Sequence, residues 1–122
     1  MSDVNSQDSD GRTKLIQAAW DGEYDECRSL VQRGTDLNIG TQEGRTAVME
    51  AVHWGYKNIV QLLCEARADL NIRDENGWTA VMEAAYRGHE NIVQLLSDAG
   101  ADLNIMDKYG KTAVMYAAWF GH

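Results

Sequence analysis

Glu50, His53 and Trp54 fall at i, i+3 and i+4, the spacing that puts three side chains on one face of a helix. The same triplet recurs 33 residues earlier as Gln17, Trp20 and Asp21. It recurs 33 later as Glu83, Tyr86 and Arg87, and once more as Tyr116, Trp119 and Phe120. Carboxylates in such a row can hold cations. Trp and Tyr bury much area at little entropic cost, which is why they dominate binding hot spots. Set side by side at about 10 Å per helix, the triplets build a ladder that is both aromatic and acidic. Glu50 and Glu83 beside Trp54 and Tyr86 suit a Lys- or Arg-bearing peptide through charge pairing and cation–π contact. Arg45, Arg73, Arg87, Trp78 and Tyr109 extend the candidate surface, the arginines setting orientation.

Other chemistry finds little support. The chain has no GxSxG, P-loop, HExxH or Cys–His pairing at useful spacing, so catalysis is not expected. Its acidic residues repeat with the period, as surface positions should. Glu50 and Glu83 alone are too few ligands for a cation site, so neither metal nor cofactor is expected. A net charge of −8 over 122 residues argues against a nucleic-acid partner, which needs clustered Lys and Arg. No stretch approaches the ~20 apolar residues of a membrane span, and Met1-Ser2-Asp3-Val4-Asn5 carries no leader pattern. Cys27 and Cys64 fall at different points of the period, which reads as free thiols in a reducing, intracellular setting, cytoplasmic or nuclear.

The elements that must position these residues follow from the period. Gly11, Gly44, Gly77 and Gly110 are 33 apart, with Thr13, Thr46, Thr79 and Thr112 in step. Asp36-Leu37-Asn38, Asp69-Leu70-Asn71 and Asp102-Leu103-Asn104 keep the same spacing. Such a period means stacked units, each unable to bury its apolar face without a neighbour. In the second unit Thr46 caps a helix whose Val48, Ala51 and Val52 share a face, and Gly55 stops it. A second helix runs from about Lys57 to Ala66-Arg67 with Ile59, Val60, Leu62 and Leu63, and a polar extended loop closes the unit. The expected division is a flexible polar leader over 1–10, units at 11–43, 44–76 and 77–109, and a partial unit at 110–122. The polar second helix of the first unit reads as a cap.

Gly-x-Thr-Ala-Val-Met-Glu-Ala, Gly88-His89, Ile92-Val93-x-Leu95-Leu96 and Gly100-Ala101-Asp102-Leu103-Asn104 resemble the ankyrin repeat, and the likeness covers residues 11–122. The resemblance implies an all-α repeat solenoid of paired antiparallel helices, with short β-hairpin fingers projecting from the stack. It implies a non-catalytic module that presents a concave groove to a protein or peptide partner. It places His89 in a structural position against the neighbouring unit. Asn38, Asn71 and Asn104 are similar to the target positions of the ankyrin asparaginyl hydroxylase, a pattern that overlaps the fold's own consensus.

This sequence departs from the family at three places. Ala47, Ala80 and Ala113 replace the proline that starts the first helix, and Lys14 does so in the first unit. Arg67 stands where Gly34 and Gly100 end the second helix, which predicts a strained left-handed residue. Val114, Met115, Tyr116, Trp119 and Phe120 leave the last helix apolar almost all round before the chain reaches Gly121-His122. That pattern reads as an array cut within a repeat, with self-association through the open end expected. The expected function is protein–protein recognition through Trp20, His53, Trp54, Trp78, Tyr86 and Trp119. A reader of a Lys/Arg-rich tail, histone-like or methyl-lysine-bearing, and a structural spacer are the alternatives.

Overall fold

A computed structural model describes residues 4–119, and the 33-residue period appears in it as helix pairs. The helices are α1 (Lys14–Asp21), α2 (Tyr24–Gln32), α3 (Ala47–Trp54), α4 (Lys57–Glu65), α5 (Ala80–Tyr86), α6 (Glu90–Asp98) and α7 (Ala113–Trp119). They pack as two parallel rows. Helix α1 lies against α3, α3 against α5 and α5 against α7, while α2, α4 and α6 line up behind them. The core repeats with the sequence: Leu30, Leu63 and Leu96 are fully buried, as are Ile16, Met49 and Met82. Burying one such side chain stabilises by roughly 1.5–3 kcal/mol, and each is covered only because the next unit is present.

Helix starts follow the threonines. Thr13, Thr46 and Thr79 all take extended backbone with ψ 170°. Thr13 Oγ1 accepts the Ile16 N–H at 3.1 Å, the expected cap. The hydroxyls of Thr46 and Thr79 are instead buried with no partner among the described residues. Helix α1 ends at Gly22, whose left-handed φ of 74° leaves room for the Tyr56 ring of the next unit. A Cβ there would meet that ring at 2.7 Å, so glycine serves both conformation and packing. His89 lies over Gly55 in the equivalent way, which makes it a packing residue between units.

The projecting fingers are tight turns, and no strand forms among the described residues. The expected β-hairpins are therefore reduced to their tips. In the finger after α4, Asp74 N–H bonds Trp78 O and Gly77 N–H bonds Asp74 O. Asp74 Oδ1 also accepts the N–H groups of Asn76 and Trp78. A side-chain acceptor thus supplies what a strand ladder would have supplied. Each finger then bonds the one before it, through Gln42 N–H to Asp10 O, Glu75 N–H to Glu43 O and Lys108 N–H to Asn76 O.

Residues 4–10 correct the expectation of a flexible leader. They form a finger in register with the others: Asp8 N–H bonds Arg12 O, and Asp8 Oδ1 accepts from Asp10 and Arg12. Asn5 Oδ1 accepts the Asp36 N–H at 2.8 Å, as Asn38 does for Asp69 and Asn71 for Asp102. Polar composition here marks a turn satisfied by its own side chains.

Arg67 is the only non-glycine residue with positive φ among those described, at 66°, where Gly34 and Gly100 take 80° and 96°. A Cβ in that region costs about 1 kcal/mol or somewhat more. Arg67→Gly is expected to raise stability by about 1 kcal/mol, read as a higher urea midpoint at unchanged slope. Helix α7 buries Ala113 and half-buries Tyr116 and Ala117 against α5, and leaves Val114, Met115 and Trp119 exposed. Phe120, Gly121 and His122 lie outside the described residues.

Candidate functional site

The ladder residues do share one face. Between the α1–α3–α5–α7 row and the fingers lies a groove of about 410 Å³, whose lining includes Trp20, Arg45, Glu50, His53, Trp78, Glu83 and Arg87. Its electrostatics differ from the sequence expectation. Glu50 and Glu83 are 4% and 3% exposed, so they do not form an open acidic trough. Arg45 reaches back from its finger and takes both. Its Nε donates to Glu50 Oε1 at 3.0 Å, Nη1 to Asp74 Oδ2 at 3.1 Å and Nη2 to Glu83 Oε1 at 2.5 Å. Arg87 Nε donates to Glu83 Oε2 at 2.9 Å, and His53 Nδ1 lies 3.7 Å from Glu83 Oε1. Burial works against the charge on Arg45, but Glu83, Glu50 and Asp74 outweigh it and hold the guanidinium well above its ordinary value. The groove carboxylates are already paired, and a Lys- or Arg-rich peptide finds no free partner in them.

The aromatic residues gather into two clusters rather than one continuous ladder. Trp20 stacks on His53 at 5.7 Å and meets Trp54 edge-on at 5.1 Å, and His53 meets Trp54 at 4.8 Å. The Arg12 guanidinium caps the Trp20 ring at 5.0 Å. The second cluster joins Trp78 to Tyr86 at 5.1 Å and to Tyr116 at 5.2 Å, with Tyr86 and Tyr116 6.0 Å apart. Trp54 and Tyr86 keep 47% and 41% of their surface exposed, enough to offer a partner. Trp20 and Trp78 are half-buried and give more to packing.

Asp107 anchors the second cluster, and sequence reasoning passed over it. It is buried, accepts Trp78 Nε1–H at 3.1 Å and the Tyr116 hydroxyl, and takes the N–H groups of Tyr109 and Lys111. Burial pushes its carboxyl up, yet the hydrogen bonds from Tyr116, Lys111, Tyr109 and Trp78 outweigh that and hold it below its ordinary value. Burial and the bond to Asp107 push Tyr116 up to about 12. The signal available in sequence was equivalence: Arg45 and Trp78 are one position 33 apart, as are Asp74 and Asp107, and Glu83 and Tyr116. One slot between units holds an ion cluster at one junction and an aromatic hydrogen-bonded cluster at the next.

The remaining candidates stand apart from the groove centre. Arg73 braces two fingers, donating Nη2 to Met106 O at 2.8 Å and Nε to Gly77 O at 3.5 Å. Tyr109 is 69% exposed at a finger tip beneath the Lys108 ammonium, 5.3 Å from its ring centre. Trp119 is 77% exposed on α7 with Lys111 over its ring. Asn38, Asn71 and Asn104 are exposed, and the first two spend their side-chain oxygens on the neighbouring unit. No cluster of three or more His, Cys, Asp or Glu suited to a metal occurs among the described residues. Cys27 is buried; that burial and the nearby Glu26 and Glu23 push its thiol up to about 12, which leaves it a poor nucleophile. No helix among the described residues is long and apolar enough to cross a membrane.

A comparison with curated proteins finds no match. A family model described as ankyrin repeats (3 copies) matches residues 1–74 and residues 67–122, and so takes in the finger at residues 4–10. With helix pairs, interlocking fingers and that match spanning the sequence, the chain belongs to the ankyrin-repeat family.

Proposed function

We propose that this chain binds a protein partner through the face formed by α1, α3, α5, α7 and the fingers, with Trp54 and Tyr86 as the principal anchors. Ankyrin repeats act generally in protein–protein interaction and are typically non-catalytic. The observation that carries the reading is exposure: Trp54 and Tyr86 remain 47% and 41% open on a rigid floor of neighbouring rings. A large ring held by packing loses little entropy on binding. Trp20, His53 and Trp78 support the anchors from beneath, and Arg87 and Tyr109 border them. Arg45, Glu50 and Glu83 fix the floor, so their role is to hold the surface in shape. Because these carboxylates are paired, the reading does not extend to a basic tail or a methyl-lysine ligand.

Trp54→Ala and Tyr86→Ala are each expected to weaken partner binding by about 1–3 kcal/mol with helical content intact. Capture from the source cell with wild type and the double variant, followed by titration of the recovered partner, measures this. Equal affinity after both changes would move the interface to α2, α4 and α6. Hydroxylation of Asn38, Asn71 or Asn104 is a separate proposal, read by intact mass after treatment with the asparaginyl hydroxylase. For Asn38 and Asn71 the modified side chain would have to be compatible with the bonds to Asp69 and Asp102.

A further inference from the structure

Arg12, Arg45, Trp78 and Lys111 occupy one position of the repeat. In the middle two copies the slot in front of that side chain is filled from within the chain. Arg45 receives Asp74 and Glu83, and Trp78 receives Asp107 and the Tyr116 ring. Lys111 receives no carboxylate within ion-pair distance among the described residues, and its ammonium stands 5.3 Å over the Trp119 ring. Beside it is a hollow of about 440 Å³ lined by Tyr86, Lys111, Met115, Tyr116 and Trp119, with no acidic residue in its wall.

We propose that this hollow docks a partner segment in which a carboxylate stands next to an aromatic or branched aliphatic side chain. The carboxylate pairs with Lys111, and the apolar side chain fills the space between Tyr86, Met115 and Trp119. The inference rests on the partner-binding reading and gives that partner its chemistry. Charge complementarity is the first argument. The carboxylates nearest this end, Glu83 and Asp107, are buried and spent on Arg45, Arg87, Trp78 and Tyr116. The exposed charges on the fingers and helix here are Lys108 and Lys111. The excess acid of the chain sits elsewhere, as at Asp25, Glu26, Glu65, Glu90 and Asp98 on α2, α4 and α6, where a Debye length of about 8 Å screens it at physiological salt.

The second argument is the precedent inside the molecule. Where this position carries a cation one step from a following unit, as Arg45 does, the slot is closed by carboxylates, and the packing beside it is apolar. Lys111 presents the same charge at the same place, and Met115 and Trp119, at 52% and 77% exposure, present the apolar wall.

The test is a titration of the ¹⁵N-labelled full chain with two N-acetylated, C-amidated peptides, Asp-Glu-Phe-Glu-Leu and Lys-Lys-Phe-Lys-Leu. The acidic peptide is expected to shift the amide signals of Lys111, Met115 and Trp119, and Lys111→Glu is expected to weaken it at least tenfold without loss of helical circular dichroism. Equal or tighter binding of the basic peptide, shifts confined to α2, α4 and α6, or no shift with either peptide would overturn the proposal. So would concentration-dependent shifts of the same signals without peptide, which would assign the hollow to a second copy of the chain. Trp54 lies in the other aromatic cluster, so its alanine variant separates the two readings. If Trp54→Ala weakens the captured partner while Lys111→Glu does not, the face stands and this inference falls.

Discussion

Arg45→Met is expected to lower the unfolding free energy by about 3–5 kcal/mol, the cost of breaking a buried ion pair by removing one partner. Methionine keeps most of the side-chain volume, so the loss is electrostatic. Three carboxylates that are 4%, 9% and 3% exposed, on Glu50, Asp74 and Glu83, would face one another with only Arg87 and His53 nearby. The effect should also be directional along the solenoid. Glu50 and Asp74 belong to the second unit and Glu83 to the third, so hydrogen exchange should quicken first in α5 and in the finger around Asp74. Urea unfolding measures the size, and a cycle with Glu83→Gln measures the coupling. If Arg45 is a stabilising bridge, the double variant should be less unstable than the sum of the singles. A loss below about 1 kcal/mol would mean the cluster behaves as a surface ion pair.

Asp107→Ala is expected to cost about 2–4 kcal/mol, because one carboxylate closes the finger and holds both Trp78 and Tyr116. Removing it leaves the indole N–H and the phenol without their acceptor, at the only contact of α7 with another inner helix. The change should appear as a red shift of tryptophan emission and frayed α7 amides before global unfolding. The native residue predicts a matching pH response. Its carboxyl is held below the ordinary value, so its stabilisation is present at neutral pH and fades as pH falls from about 4. Tyr116, raised to about 12, behaves in the opposite sense: its contribution is full below about pH 10 and is lost as pH rises through about 12. The α7 amides in the Asp107→Ala variant should lose both dependences.

How much of this was legible in the sequence depended on periodicity. Leu30, Leu63 and Leu96 repeat the core so regularly that helix positions and stacking order follow from spacing alone. The left-handed Arg67 was legible for the same reason, since glycines stand at its equivalents. The finger at residues 4–10 was hidden although Val4-Asn5 answers to Leu37-Asn38, because a polar stretch that caps itself has the composition of a flexible one. The fate of Glu50 and Glu83 was not legible from helical spacing. Spacing assigns a face but not what folds over it, and Arg45 arrives from a finger, outside the helix. Its pairing with Asp74 spans 29 residues and with Glu83 38, while Trp78 repeats the 29-residue reach to Asp107. Those offsets become visible only when the units are aligned and read across the junction.

The two fillings of that slot make the units unequal as material for gene duplication. Copying residues 44–76 in tandem would set Arg45 against a second Glu50, and the charge would still be met. Copying residues 77–109 would bring Glu83 where Tyr116 now packs against Trp78, a carboxylate pressed on an indole with no finger guanidinium to answer it. Lengthening of this array is therefore tolerated at one seam and penalised at the other.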